Sequence, residues 1–539
     1  MRSAVGMGTA VRRTGWMSPL VLPLVALAGA ACTGAPESRT KGAAAGGRAI
    51  TIVNVQLVDG TGSPAVRGGL RIVGDTIAAV GADVQAAPGD SLIDGGGRVL
   101  APGFIDTHSH HEVGLDRTPE ATAAVSQGIT TIVAGIDGAH PMPLATTLDS
   151  VARARPALNV AFYAGHGTLR SAVMGDRFQR SATTAEVERM AALLRAELAA
   201  GALGLSTGLE YDPGIYSNPA EVLALAKVAG EARTRYISHI RSEDQDFWRA
   251  LDEIITIGRE ARLPVQVSHL KLAMRPLHGA ADSVRRILDR ARAEGIEISA
   301  DVYPYPFWQS TLTVLFPRRD FDNVVEAQRI LREVVRPEGL RIGDYAPNAT
   351  YRGRTVAEIA RLRGEDPART LVALIRDARA LPEGTRAVEN GVVSAGVESV
   401  IATAMDEDDV ARLLAWEHTN ICSDGMLDGV HPRGFGAFPR VLGRYAREQR
   451  MFPLEEAIRK MTSLSARHVG IVRRGTLAPG HYADLVLVDA DRVIDRSTPD
   501  APHAVASGIV AVWVNGVSVW SAGRATGQRP GRVLRRQMQ

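Results

Sequence analysis

Eight short apolar runs, separated by amphipathic stretches, set what this chain can fold into. They read GFIDTH, ITTIVAG, NVAFYAGH, ALGLSTG, RYISHI, PVQVSHL, IEISADVYPY and TNICSDG. Between them stand stretches of helical period, for instance TTAEVERMAALLRAELAAG and DQDFWRALDEIITIGREARL. Apolar strands alternating with amphipathic helices indicate βα units on a parallel sheet, and eight of them predict a (β/α)8 barrel of TIM type. The segment from Tyr305 to Val400 is longer than one crossover. It predicts an inserted subdomain, about residues 306–400, between strands seven and eight.

Both ends of the chain are written in a different style. AITIVNVQLVDG, GGLRIVGDTIAAVG and GGGRVLAPG near the start, and HYADLVLVDADRVID and VAVWVNGVSVWSAG near the end, are short alternating strands with Gly turns. They predict a small β-sandwich domain built from residues 48–100 and 475–539, flanking a barrel over 101–474. Ahead of it, Arg12 and Arg13 precede WMSPLVLPLVALAGAAC. A basic start, a short apolar run and small residues form the pattern of a secretory signal over residues 1–32, followed by a flexible linker over 33–47. The expected location is outside the cytoplasm, periplasmic or extracellular. Cleavage near Ala30 and lipidation of Cys32 are both open, and a lipid anchor on Cys32 is the one membrane attachment the sequence offers. With 45% apolar and 22% charged residues and a net charge of +3, the rest reads as an ordinary globular chain with no nucleic-acid partner. Two cysteines, Cys32 and Cys422, make no disulfide framework.

The polar residues gather at strand ends, where a TIM barrel builds its active site. Strand one ends with His108 and His110, strand two with Asp137, strand five with His239, strand six with His269 and strand eight with Asp424. Strand alternation puts His108 and His110 on one face and sends His111 elsewhere. The chain carries 13 histidines, and a single one at a strand end is usually a hydrogen-bonded core residue. Four His and two Asp at five strand ends of one barrel instead suggest a divalent metal centre, with zinc the usual occupant of such a donor set.

These residues, with PGFIDTHSH, QGITTIVAG, GLSTGLEYDPG, SHIRSE, PVQVSHLK, ADVYPY, CSDGM, HPRGFGAFPRVLGRYARE and RGTLAPGHYADLVLVD, resemble the amidohydrolase superfamily, and within it the N-acyl-D-amino-acid deacylases. The likeness runs from about Ile50 to the C-terminus. It implies that His239 and His269 hold a tight zinc ion, with His108 and His110 at the same centre or at a weaker second divalent-metal position. It implies Asp424 as general base and then general acid, and Lys271, Tyr303, Ser310 and Arg433 as binders of a substrate carboxylate. The implied substrate is a small molecule, an N-acyl-D-amino acid.

One residue departs from the family pattern. Where the family carries a Cys after strand two, in a GNCG-like stretch, this chain has GIDG with Asp137. Direct ligation by Asp137 is favoured, and orientation of a ligand from behind is the other reading. A dipeptidase cutting L-Xaa-D-Xaa is the nearest alternative function. A cyclic amidase of hydantoinase or dihydroorotase type is less favoured, because that resemblance calls for a Lys on strand four and none occurs between Val160 and Ala226. A non-catalytic metal binder is disfavoured, since Asp424 and the histidines are all present. His166 has an open role, and Glu210 reads as a loop carboxylate.

Overall fold

The computed structural model describes residues 49–382, 388–389, 392–393 and 397–537. The proposed signal and linker lie outside the described residues. No helix among the described residues is long and apolar enough to cross a membrane.

The first five strands, β1 (Ile50–Leu57), β2 (Val66–Val73), β3 (Thr76–Gly81), β4 (Ser91–Asp94) and β5 (Val99–Pro102), open the small domain. The barrel follows with β6 (Phe104–Asp106), β7 (Ile129–Ala134), β8 (Asn159–Phe162) continued as β9 (Ala164–Gly165), β10 (Gly204–Gly208), β11 (Arg235–His239), β12 (Val265–Val267) and β13 (Ile298–Val302). An insertion then contributes β14 (Phe307–Ser310), β15 (Leu340–Tyr345), a hairpin of β16 (Val388–Glu389) and β17 (Val392–Val393), and β18 (Glu398–Thr403). The eighth barrel strand is β19 (Thr419–Ile421), and β20 (Leu485–Val488), β21 (Ile509–Val514), β22 (Val517–Ser521) and β23 (Arg524–Ala525) close the chain.

Barrel neighbours pair in parallel, from β6 to β8 and from β9 through β13 to β19. Every residue of β7, β10 and β13 is buried, as strands covered on both faces require. The barrel closes between its first and last strands: the Asp424 amide donates to the His108 carbonyl (2.9 Å), the His110 amide to the Gly425 carbonyl (2.9 Å), and the Ser423 amide to Asp106 Oδ1 (2.9 Å). Helices wrap the outside, and some of them are capped by their own sequence. Thr183 and Glu186 form a reciprocal capping box for Thr184–Ala200, and Asn218 with Pro219 starts Pro219–Glu231.

The expected fold class holds: an α/β barrel, a small β domain made from both chain ends, and an insertion between strands seven and eight. The β domain is one nine-stranded sheet, a path of eight with β4 beside β1, in which β5 pairs with β20 and thereby joins the two ends of the chain. Ile52, Leu70 and Leu100 from one end share a core with Leu485 and Trp513 from the other. The insertion holds its own antiparallel sheet, in the order β14, β18, β15. Its first strand starts at the barrel mouth. At the opposite end of the barrel, the C-terminal tail lies along β8: the Val160 amide donates to the Arg532 carbonyl (2.9 Å) and the Leu534 amide to the Val160 carbonyl (2.8 Å).

Candidate active site

Polar side chains from the ends of five barrel strands converge around Asp137. His108 Nε2 lies 3.3 Å and His110 Nε2 3.4 Å from Asp137 Oδ2. The other oxygen of the same carboxylate, Oδ1, lies 3.4 Å from His269 Nε2. His269 Nε2 in turn faces His239 Nδ1 at 3.1 Å. Asp424 Oδ1 stands 3.6 Å from His108 Nε2 and 3.4 Å from His110 Nε2. Asp137 thus stands between two sets of donors: His108, His110 and Asp424 on one side, His239 and His269 on the other.

One expectation is corrected here. Strand alternation does not carry His108 and His110 to a common face, because β6 ends at Asp106. The segment past the strand delivers them instead, held to Gly425 and Asp424 by the backbone bonds that close the barrel. Of the remaining cluster residues His239 ends β11, and the other three are reached by unusual backbone. Asp137 (φ 53°), His269 (φ 33°) and Asp424 (φ 47°) all occupy the left-handed region, which L-residues enter at a cost that surrounding structure must offset. For Asp137 the enabling residues are glycines. A Cβ on Gly208 would sit 2.1 Å from the Asp137 carbonyl oxygen, and one on Gly138 would sit 2.7 Å from the Gly208 amide nitrogen. Only bare backbone lets the GIDG loop lie down on β10.

Two imidazoles are held from behind by carboxylates to which sequence reading gave no such part, and a third carboxylate, Asp301, holds backbone. Glu210 Oε2 lies 2.9 Å from His239 Nε2, so His239 presents Nδ1 to the cluster. His269 Nδ1 lies 2.7 Å from Lys271 Nζ and 2.9 Å from Glu243 Oε1, so these two side chains hold the far nitrogen of the ring and His269 turns Nε2 to the cluster. Asp301 accepts the His269 amide at 2.6 Å and stands 3.8 Å from His108 Nδ1. Glu210 is therefore no idle loop carboxylate, and Asp301 and Glu243 lie inside the quoted motifs ADVYPY and SHIRSE. The distance in sequence between each carboxylate and its histidine hid the pairing. His111 turns away and bonds Ser109 Oγ (2.8 Å) and the Gly434 carbonyl (3.2 Å). His166 sits outside the site on Glu221 (2.9 Å).

Electrostatics push the cluster toward ions. Burial opposes charge on His110, but Asp137 and Asp424 override it and raise the imidazole to about 10. Burial and Lys271 oppose charge on His269, but Glu243 and Asp137 raise it to about 10. Burial likewise works against the Asp424 carboxylate, yet Arg433, His110, His108 and His269 hold it well below its ordinary value. These donors fit zinc. Imidazole nitrogens and carboxylate oxygens are its ordinary ligands. Asp137 Oδ1 is buried without a hydrogen-bond partner, and two imidazole nitrogens face one another across 3.1 Å, where at most one proton satisfies both.

Two lobes open from the cluster. The smaller, about 50 Å³, is lined by Lys271, Tyr303, Ser310 and Arg433, with Trp308 and Val314 as apolar wall. Lys271 Nζ rests 2.6 Å from Glu243 Oε1. Arg433 Nη1 rests 2.6 Å from Asp424 Oδ2, and its Cζ lies 4.7 Å from the centre of the Tyr303 ring. Arg433 Nε and Tyr303 Oη are buried without a partner, and burial lifts the Tyr303 phenol well above its ordinary value, so it remains a donor. Two unused donors and two cations in one lobe are suited to a carboxylate. Ser310, on β14, borders both lobes. The larger lobe, about 350 Å³, opens on the side of His110 and Asp137 and runs under the insertion.

The model of the amidohydrolase family matches residues 91–520. The N-acyl-D-glutamate deacylase of Alcaligenes xylosoxydans xylosoxydans is 37% identical over 89% of this chain and 95% of its own length. The chain belongs to the amidohydrolase family, in its D-aminoacylase branch. The D-aminoacylase of the same organism is 36% identical over 89% of this chain and 96% of that protein. Among solved structures, the N-acyl-D-glutamate deacylase from Bordetella bronchiseptica, complexed with zinc and a phosphonate inhibitor, is 35% identical. It covers 90% of this chain and 99% of its own, with a TM-score of 0.78. Dihydropyrimidinase from Brevibacillus agri, at 15% identity and a TM-score of 0.51, shares the fold alone.

Proposed function

We propose that this amidohydrolase is a zinc-dependent N-acyl-D-amino-acid deacylase, which hydrolyses a linear amide to a carboxylic acid and a D-amino acid. The observation that carries the reading is the placement of a carboxylate-binding lobe directly beside Asp424 and the histidine cluster. His108, His110, Asp137, His239 and His269 would hold the metal, which supplies an acidified water and a Lewis acid for the amide carbonyl. Asp424 accepts the proton of the attacking water on Oδ1, the oxygen that faces the histidines, while Oδ2 stays on Arg433. It then gives the proton to the departing nitrogen, as one group in both roles must. Arg433, through its unused Nε, and Tyr303, through its unpartnered hydroxyl, receive the substrate carboxylate, and Lys271 adds charge.

Linear rather than cyclic amides are favoured because β10, the fourth barrel strand, reads Gly-Leu-Ser-Thr-Gly and contains no lysine. Preference for D over L rests on the relatives. The test is amine release by the zinc-loaded protein from paired D and L N-acetyl amino acids across several side chains. Release from D compounds is expected, and release from L compounds alone overturns the reading. Export belongs to the same proposal and rests on residues 12–32. Mass spectrometry of the protein recovered from its cells should find a start near residue 31 or 32, and an intact Met1 terminus would overturn it.

A further inference from the structure

We infer that the acyl group this enzyme removes is an extended apolar chain, and that the larger lobe receives it. The inference rests on the deacylase reading above. An N-acyl amino acid runs in one line from carboxylate through α-carbon, nitrogen and carbonyl carbon to the acyl chain. Lys271 and Tyr303 border the smaller lobe only, while His110 and Asp137 border the larger lobe only. With the carboxylate drawn toward Lys271 and Tyr303 and the carbonyl carbon at the histidine cluster, the acyl chain leaves on the His110 and Asp137 side.

That side has room far beyond what an acetyl group fills. A methyl group fills roughly the ~30 Å³ that a water molecule takes in the liquid, against about 350 Å³ of cavity. Away from the cluster, Val113, Pro213, Phe321, Ile375 and Ala378 give the lobe apolar wall, alongside polar groups such as Thr311, Thr313 and Ser399. Ile375 and Ala378 come from the insertion helix Pro367–Arg379, so the insertion shapes this lobe. The charged groups on the same walls are already engaged. Arg319 binds Asp212 at 2.8 Å, the Arg379 guanidinium lies over the Phe321 ring at 4.3 Å, and Glu398 accepts the Leu312 amide at 2.6 Å. An apolar chain needs none of them. It gains by displacing water from apolar wall, by roughly a factor of three to four per buried methylene.

The test uses the zinc-loaded full chain and the D-amino acid released fastest from its N-acetyl compound. N-acetyl, N-butanoyl, N-hexanoyl and N-octanoyl derivatives of that amino acid are compared, with the L-leucyl dipeptide alongside. The expected result is a rise in kcat/KM of at least about tenfold from acetyl to hexanoyl. Ala378→Phe and Thr313→Phe, which fill the lobe from two different walls, should each cut the hexanoyl-to-acetyl ratio by about tenfold or more. A flat or falling acyl series, with the N-acetyl compound still cleaved, overturns the inference and leaves the deacylase reading standing. A dipeptide cleaved faster than the hexanoyl compound also overturns it, by assigning the lobe to an aminoacyl group. No release from any D compound brings down the deacylase reading itself, and the inference with it.

Discussion

Arg433 Nη1 sits 2.6 Å from Asp424 Oδ2, with both side chains buried. On the proposed mechanism one guanidinium would serve two carboxylates, the one that moves the proton and the one the substrate brings. Removing it strips a partner from the first and an anchor from the second. Arg433→Ala is expected to lower kcat/KM for an N-acyl-D-amino acid by about 10² to 10³, the range for truncating one member of a buried charge pair. KM should rise more for the acid than for the matching uncharged amide. The acid limb of the pH profile should move upward, because Asp424 is no longer held down. Steady-state kinetics on the acid and its amide, across pH, check all three. Equal KM increases for the two substrates would remove Arg433 from substrate binding.

Asp424→Asn keeps the shape of the side chain and its contact with Arg433 but cannot accept a proton. Zinc content should stay near that of the parent protein while turnover falls by about 10² to 10⁴, the range for general acid–base groups. Elemental analysis and amine release on the same preparation measure both. Full turnover at full metal content would assign the proton to another group.

Asp137 stands between both sets of imidazoles, and Glu210 holds one of them by its far nitrogen. Asp137→Ala should therefore lower zinc content at the whole centre, and Asp137→Cys should restore it, since thiolate and carboxylate both ligate zinc. Glu210→Gln should weaken zinc binding by about 10- to 100-fold, the usual cost of losing a group that orients a ligand. Competition with a chelator reads out each variant. An Asp137→Ala protein that binds zinc as the parent does would leave that carboxylate a purely orienting part.

Strand-end chemistry was legible in the sequence because a histidine or aspartate after an apolar run stands out. His239, His269, Asp137 and Asp424 announced themselves in this way. Three other things were not legible. Glu210, Glu243 and Asp301 meet their histidines only across strands, so no local pattern pairs them. The left-handed backbone at Asp137, His269 and Asp424 cannot be told from residue type alone, since Asp and His only visit that region more often than most residues. The place where β6 ends, two residues before His108, depends on barrel closure to β19, which no short window contains. The fold class was easier to read, because eight alternating units and a changed style at both ends are long-range regularities.

Glu398 shows a pH dependence away from the chemistry. Burial lifts its carboxyl to about 7, only partly opposed by the Leu312 and Thr313 amides. In the unfolded chain this group ionises near its ordinary value. Between the two values the folded state binds more protons, so the group's contribution falls as pH rises from about 4.5 to about 7 and is constant above that. Glu398→Gln keeps an acceptor for the Leu312 amide and removes the titration. It should match the parent near pH 4 and exceed it at pH 8 by on the order of 1–3 kcal/mol. Denaturant melts at the two pH values test this, and equal stability at pH 8 would show Glu398 to be ionised in place.

The pairing of Val99 with Val488 across β5 and β20 also sets an order of events during synthesis. At ~5–20 residues per second, about 20 to 80 s separate the emergence of these two partners from a ribosome. Through that interval β5 has a bare edge, and the apolar residues of β1 and β2 wait for the other half of their core. A chain whose first domain is finished by β20 to β22 stays open-ended until those strands have been made, which leaves time for a holding chaperone to bind it before it can close.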